Sequence, residues 1–101
     1  MIIYNTTYHV DDKIHAQYLS FVREVFIPQI VKTGILKEAR LSRIVDDRNE
    51  PGASYSLQFR VENLDTLTNW LNEHGEKLND ELFSQFGHGL AGFVTLLEEI
   101  D

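Results

Sequence analysis

Apolar and polar positions alternate most cleanly over residues 53–62. Ala53, Tyr55, Leu57, Phe59 and Val61 fall on one side, and Ser54, Ser56, Gln58, Arg60 and Glu62 on the other. A period of two predicts a strand buried on one face only. Residues 2–10 (Ile-Ile-Tyr-Asn-Thr-Thr-Tyr-His-Val) are rich in β-branched and aromatic types and predict a first strand. Residues 36–47, with Leu41, Ile44 and Val45 among charged neighbours, predict a second. The polar stretch from Asp46 to Gly52 ends in Pro51-Gly52, a turn signal that makes the second and third strands an antiparallel hairpin. Leu90 to Leu97 is a nearly continuous apolar run and predicts the last strand, reached through the turn Gly87-His88-Gly89.

Between the strands the period changes to that of a helix. Ile14, Tyr18, Phe21, Val22, Val25 and Ile30 form one stripe, after Asp11 or Asp12 as N-cap. Pro28 lies inside this stripe, removes a backbone donor and crowds the Glu24 carbonyl, so a kink or break is expected there. Gly34 suits the left-handed C-cap position, with Ile35 making the accompanying apolar contact. The second stripe is Leu64, Leu67, Leu71, His74, Leu78 and Leu82, starting near Asn63 or Asp65. Gly75 costs this helix about 1 kcal/mol relative to Ala, which predicts a kink or two pieces. No repeat or linker interrupts residues 1–101, so the chain reads as one α+β domain of order βαββαβ. Right-handed crossovers make that order a ferredoxin-like plait: a four-stranded antiparallel sheet with two helices on one face.

The apolar side of the third strand must meet the helices, because each large apolar residue gains roughly 1.5–3 kcal/mol on burial. The other side then carries Ser56, Gln58 and Arg60. On the neighbouring strands the matching polar sets are Asn5, Thr7, His9 and Glu38, Arg40, Ser42, although a one-residue slip in either strand would reverse its set. The last strand is too apolar to be left wet, whether Val94 and Leu96 or Phe93 and Leu97 face outward. Two-fold pairing of two sheets into a barrel around a polar cavity would cover it, so a homodimer is expected.

The formal net charge of −7 repels phosphate backbones, and no Lys/Arg cluster offsets it, so nucleic acid is not expected as a partner. No apolar run approaches the ~20 residues that span a bilayer, and the start at Met1 lacks a signal-peptide pattern. Together with the absence of cysteine, which rules out disulfides and thiolate chemistry, this points to a cytoplasmic protein.

Three stretches carry a family resemblance: Ile27-Pro28-Gln29-Ile30-Val31-Lys32-Thr33-Gly34, Tyr55-Ser56-Leu57-Gln58-Phe59, and Phe93-Val94-Thr95-Leu96-Leu97-Glu98. In this order the chain resembles, over nearly its whole length, a bacterial family known as domain of unknown function 4286. That family is similar to the dimeric α+β barrels. The resemblance implies that barrel fold and transfers no catalytic residue. The wider superfamily includes cofactor-independent and haem-degrading monooxygenases as well as ligand-binding and regulatory domains.

Three constellations are candidates for chemistry. Haem-degrading barrels use an Asn on the first strand with a Trp and a His from the second-helix region, and Asn5, Trp70 and His74 (or His88) resemble that set. The spacing departs from the pattern, and Trp70, packed on the sheet or at the dimer interface, and His74, facing the core or half-exposed, read better as structural residues. A second set, His9, Glu38, Arg40, Gln58 and Arg60, would bind a small-molecule ligand. The arginines would hold a carboxylate or phenolate while His9 moves a proton. The plainer alternative is a group of cross-strand ion pairs. Third, His9, Asp11, Asp12 and His15 cluster in sequence without any recognised ligand spacing, so they read better as caps and surface histidines than as a metal site. The residues therefore support a homodimeric binding or structural module with an unidentified ligand and cofactor. A small cofactor-independent or haem-dependent monooxygenase is the alternative.

Overall fold

The computed structural model describes residues 1–45 and 51–100. These residues form strand β1 (Ile2–Val10), helix α1 (residues 15–32), β2 (Lys37–Arg43), β3 (Ala53–Val61), helix α2 (residues 64–86) and β4 (Leu90–Glu98). The sheet is antiparallel in the order β2-β3-β1-β4, the predicted ferredoxin-like plait. Both helices lie on one side of it, over Tyr4, Tyr8, Val10, Tyr55, Leu57, Phe59 and Val61.

Each helix begins where a polar side chain satisfies an exposed N–H. The Asp11 carboxylate accepts from the Lys13 N–H (3.1 Å) ahead of a 3₁₀ turn, and Asn63 Oδ1 accepts from the Thr66 N–H (2.9 Å). Neither helix breaks, contrary to what Pro28 and Gly75 suggest. Instead each widens for one π turn, Val22–Phe26 in α1 and Leu71–Gly75 in α2. In these turns the Ile27 N–H donates to the Val22 carbonyl, and the Glu76 N–H to the Leu71 carbonyl. Pro28 then falls in the first turn of the resumed α-helical piece Ile27–Lys32, a position that tolerates a missing donor.

The extra residue in each turn also rotates the apolar stripe. Phe26 is buried where Val25 was expected, and Gly75 is buried while His74 is exposed; ahead of the turn in α2, Trp70 is buried and Leu64 is exposed. At the end of α1, Gly34 takes φ +78° as expected, but the following apolar contact comes from fully buried Leu36 and not from the exposed Ile35. Strand β2 is shorter than predicted. It stops at Arg43, leaving Ile44 and Val45 exposed, and the first part of the predicted turn (residues 46–50) lies outside the described residues.

The register settles which residues share a face, since directly paired residues of antiparallel strands point the same way. Asn5 pairs with Gln58, Thr7 with Ser56 and His9 with Ser54, while Arg40 pairs with Gln58 and Ser42 with Ser56. These form the face turned away from the helices. On β4, Ala91, Phe93, Thr95 and Leu97 join it, through pairing with His9, Thr7, Asn5 and Ile3. Val94 and Leu96 point to the helix side yet remain 54% and 48% exposed, because neither helix reaches over this edge. Strand β4 is thus uncovered on both of its faces beyond Leu90.

Candidate functional site

The centre of the open face is a hydroxyl and amide cluster on β1 and β3. Asn5 Oδ1 accepts from Ser56 Oγ (2.5 Å), and Asn5 Nδ2 donates to Thr7 Oγ1 (3.2 Å). Asn5 is buried although no helix covers it. An amide offers two donors and two acceptor lone pairs, so one of each remains beyond these bonds. Beside this cluster lie Gln58 and Arg40, paired across β3 and β2.

Arg60 sits at one end of the face and is already engaged. Its Nε and Nη2 donate to the two carboxylate oxygens of Glu99 (2.6 and 2.9 Å), and its Nη1 donates to Glu38 (2.6 Å). The bidentate bond holds the Glu99 carboxyl below the usual carboxylate range. Glu38 reaches Arg60 because the register slips between Lys37 and Arg40, and Glu38 takes φ +54°, a conformation costly for a side-chain-bearing residue. Arg60 and Glu38 therefore form an ion-pair cluster, and Arg40 is the arginine set beside the amides.

His9 lies at the other end. The Pro51 carbonyl can only accept, so at 3.0 Å His9 Nε2 donates to it, and Nδ1 lies 3.0 Å from Ser54 Oγ, from which it accepts when the ring is neutral. Gly52, at φ +90°, packs on the ring: a Cβ there would lie 2.8 Å from His9 Nε2 and 2.6 Å from the Val10 carbonyl oxygen. His9 shares a recess of about 190 Å³ with Asp11, Pro51, His88 and Gly89. Sequence reading placed His9 and His88 in separate sets, because the backbone bond from Asp11 N–H to the Gly89 carbonyl (2.9 Å) that brings them together has no local signature. His15 instead turns to the helix side, where Nε2 meets the Tyr55 hydroxyl. Among the described residues no three His, Cys, Asp or Glu side chains come together as metal ligands.

Asn5 and Trp70 do not meet. Trp70 lies on the helix side, 3% exposed, edge-on to Tyr4 with ring centroids 6.4 Å apart, and its Nε1–H donates to Thr33 Oγ1 (3.0 Å). The void there, lined by Tyr4, Thr6, Phe59, Trp70 and Asn79, measures about 10 Å³, room for one water at most. His74 is exposed, 3.9 Å from Glu73 and with its ring centroid 6.3 Å from that of Trp70. The sheet itself separates Asn5 from the other two, so the three side chains do not converge within one chain.

A family profile described as Domain of unknown function (DUF4286) matches residues 1–100. Comparison with curated protein sequences gives no significant match. Among solved structures, an ethyl tert-butyl ether d (ethd) family protein of Bacillus halodurans c-125 is similar at TM-score 0.72 and 13% identity, covering 99% of this chain and 100% of that one. An antibiotic biosynthesis monooxygenase is similar at TM-score 0.69 and 16% identity over 100% of both chains. A dimeric ferredoxin-like protein from an uncultured marine organism is similar at TM-score 0.66 and 11% identity, covering 98% and 97%. At these identities the likeness is one of fold.

Proposed function

The chain belongs to the DUF4286 family, whose description prescribes no chemistry, and from its own geometry we propose a homodimeric module that binds a small polar molecule between two facing sheets. One observation carries this reading: the Asn5–Thr7–Ser56 cluster lies on the same open face as exposed Phe93 (64%) and Leu97 (41%). Large apolar side chains beside a polar patch with hydrogen-bonding capacity to spare are what a closed chamber needs, with apolar contact at its seam and hydrogen bonding inside. The dimeric ferredoxin-like neighbour supports the pairing by analogy of fold.

The chamber's chemistry follows from its residues. The spare N–H and lone pair of Asn5, the Gln58 amide and the Arg40 guanidinium suit a ligand with a carboxylate or enolate oxygen next to a donor. Monooxygenase chemistry has less support in this chain, since Asn5, Trp70 and His74 are not assembled.

Native mass spectrometry of protein purified from cell extract tests the reading. The expected result is twice the chain mass with a retained small molecule, loss of that molecule but not of the dimer in Asn5→Leu, and single chains in Phe93→Glu. A wild-type protein that stays monomeric would overturn it.

A further inference from the structure

On the helix side of the sheet, opposite the polar cluster, an open groove of about 500 Å³ runs between α1 and β2. Its walls are Leu19, Arg23 and Ile27 from α1 and Ala39, Leu41 and Arg43 from β2, with Tyr55 of β3 at its floor. The register explains the grouping. Leu41 pairs with Leu57 and Arg43 with Tyr55, so beyond the bulge Leu41 and Arg43 look toward the helices while Arg40 and Ser42 look away. From α1, the spacing 19, 23, 27 puts an arginine between two aliphatic side chains on one strip of helix.

We propose that this groove binds a small carboxylic acid with an apolar body. The charge pattern selects that occupant. The chain carries net charge −7 with only nine Lys and Arg residues, and two of the nine converge on one half-apolar groove. Guanidinium groups are the cations best shaped for a carboxylate, and their stems lie along apolar surface. Leu19, Ile27, Ala39 and Leu41 are partly exposed here and would cover a hydrocarbon or aromatic body. The Tyr55 ring at the floor is buried and its hydroxyl meets His15, whose ring is tilted against it with centroids 5.5 Å apart, so the floor is held in place. The volume lies within the range of small-molecule sites. The site does not depend on pairing of the open faces, since none of its residues lies on that face.

The test is an amide NMR titration of the whole chain with decanoate, decanol and decyltrimethylammonium, each below its aggregation concentration. Decanoate should give saturable shifts at Leu19, Ile27, Leu41 and Arg43. Decanol should bind about tenfold more weakly, roughly 1.4 kcal/mol, and the cation not at all. Arg23→Gln and Arg43→Gln should each weaken decanoate about tenfold with spectra otherwise intact, and Arg43→Lys should restore part of the loss. Equal binding of decanol and decanoate, shifts confined to residues of the open face, or no saturation would each overturn the proposal. Binding at the groove in a variant whose open face no longer pairs, such as Phe93→Glu, would support it independently of the dimer.

Discussion

At the scale of single residues, burial of phenols sets the chain's response to alkali. Tyr4, Tyr8 and Tyr18 are all held above the ordinary tyrosine range, chiefly because burial disfavours the phenolate, and Tyr8 is pushed up to about 12. Tyr18 is fully buried and its hydroxyl has no partner among the described residues, an uncompensated desolvation of about 1–3 kcal/mol. In the unfolded chain these phenols release their protons near pH 10, before they do so in the folded one. Their raised values therefore contribute stability that is whole below about pH 10 and is lost as pH rises toward 12. Urea midpoints should fall between about pH 9 and about pH 11, and phenolate absorbance should rise in step with unfolding. A midpoint that does not move over that interval would contradict the assignment of these rings to the core.

At the scale of elements, glycine marks where backbone or ring comes too close for a side chain. Gly92 of β4 sits across from Tyr8, and a Cβ there would be 2.3 Å from the Tyr8 ring and 2.7 Å from the Thr7 carbonyl oxygen. Gly92→Ala should therefore destabilise the fold by about 1–3 kcal/mol, read from chemical denaturation. At Gly34 nothing lies within 4 Å, so only its left-handed backbone opposes a side chain. Strand positions were legible from sequence because the period of two survives any small error in strand ends, as β3 shows residue for residue. Helix faces were less legible. One extra residue per π turn moves the buried position from Val25 to Phe26 and turns His74 outward, and nothing in the local pattern announces it. Val22 follows His15 by seven positions and Leu71 follows Leu64 by seven, so both halves of the fold carry the turn at the same place. Of the candidate site, the polar row Asn5, Thr7, Gln58 and Arg40 was readable from alternation. Cross-strand ion pairing of Arg60 with Glu38 was among the readings the sequence allowed, but capture by Glu99 was not, since it depends on Glu99 returning from beyond β4.

At the scale of the whole molecule, that ion-pair cluster ties the sheet together. Arg60 on β3 joins Glu38 on β2 and Glu99 after β4, and the Glu99 N–H donates to the Met1 carbonyl (3.1 Å) just before β1. Because the Arg60 hydrogen bonds depress the Glu99 carboxyl, its contribution is present above the unfolded carboxylate range, near pH 4.5, and disappears as acid protonates it. Between about pH 5 and about pH 3 the wild-type chain should lose more thermal stability than Glu99→Gln, which has nothing to protonate there. Parallel acid profiles for the two proteins would show that the cluster is held too loosely at the surface to matter.

The two edges of the sheet also differ in how they would behave toward strangers. Strand β2 ends the sheet with Lys37, Glu38, Arg40, Arg43 and a bulge, features that discourage a foreign strand from adding on. Strand β4 offers seven consecutive uncharged residues, Ala91 to Leu97, with no proline and with side chains exposed on both faces. This is the composition from which cross-β aggregates nucleate. In the proposed homodimer a twin would shield one face of this segment, and solubility would be tied to abundance. Dilution or a broken pairing surface would then trade a lost assembly for a seed of fibrils.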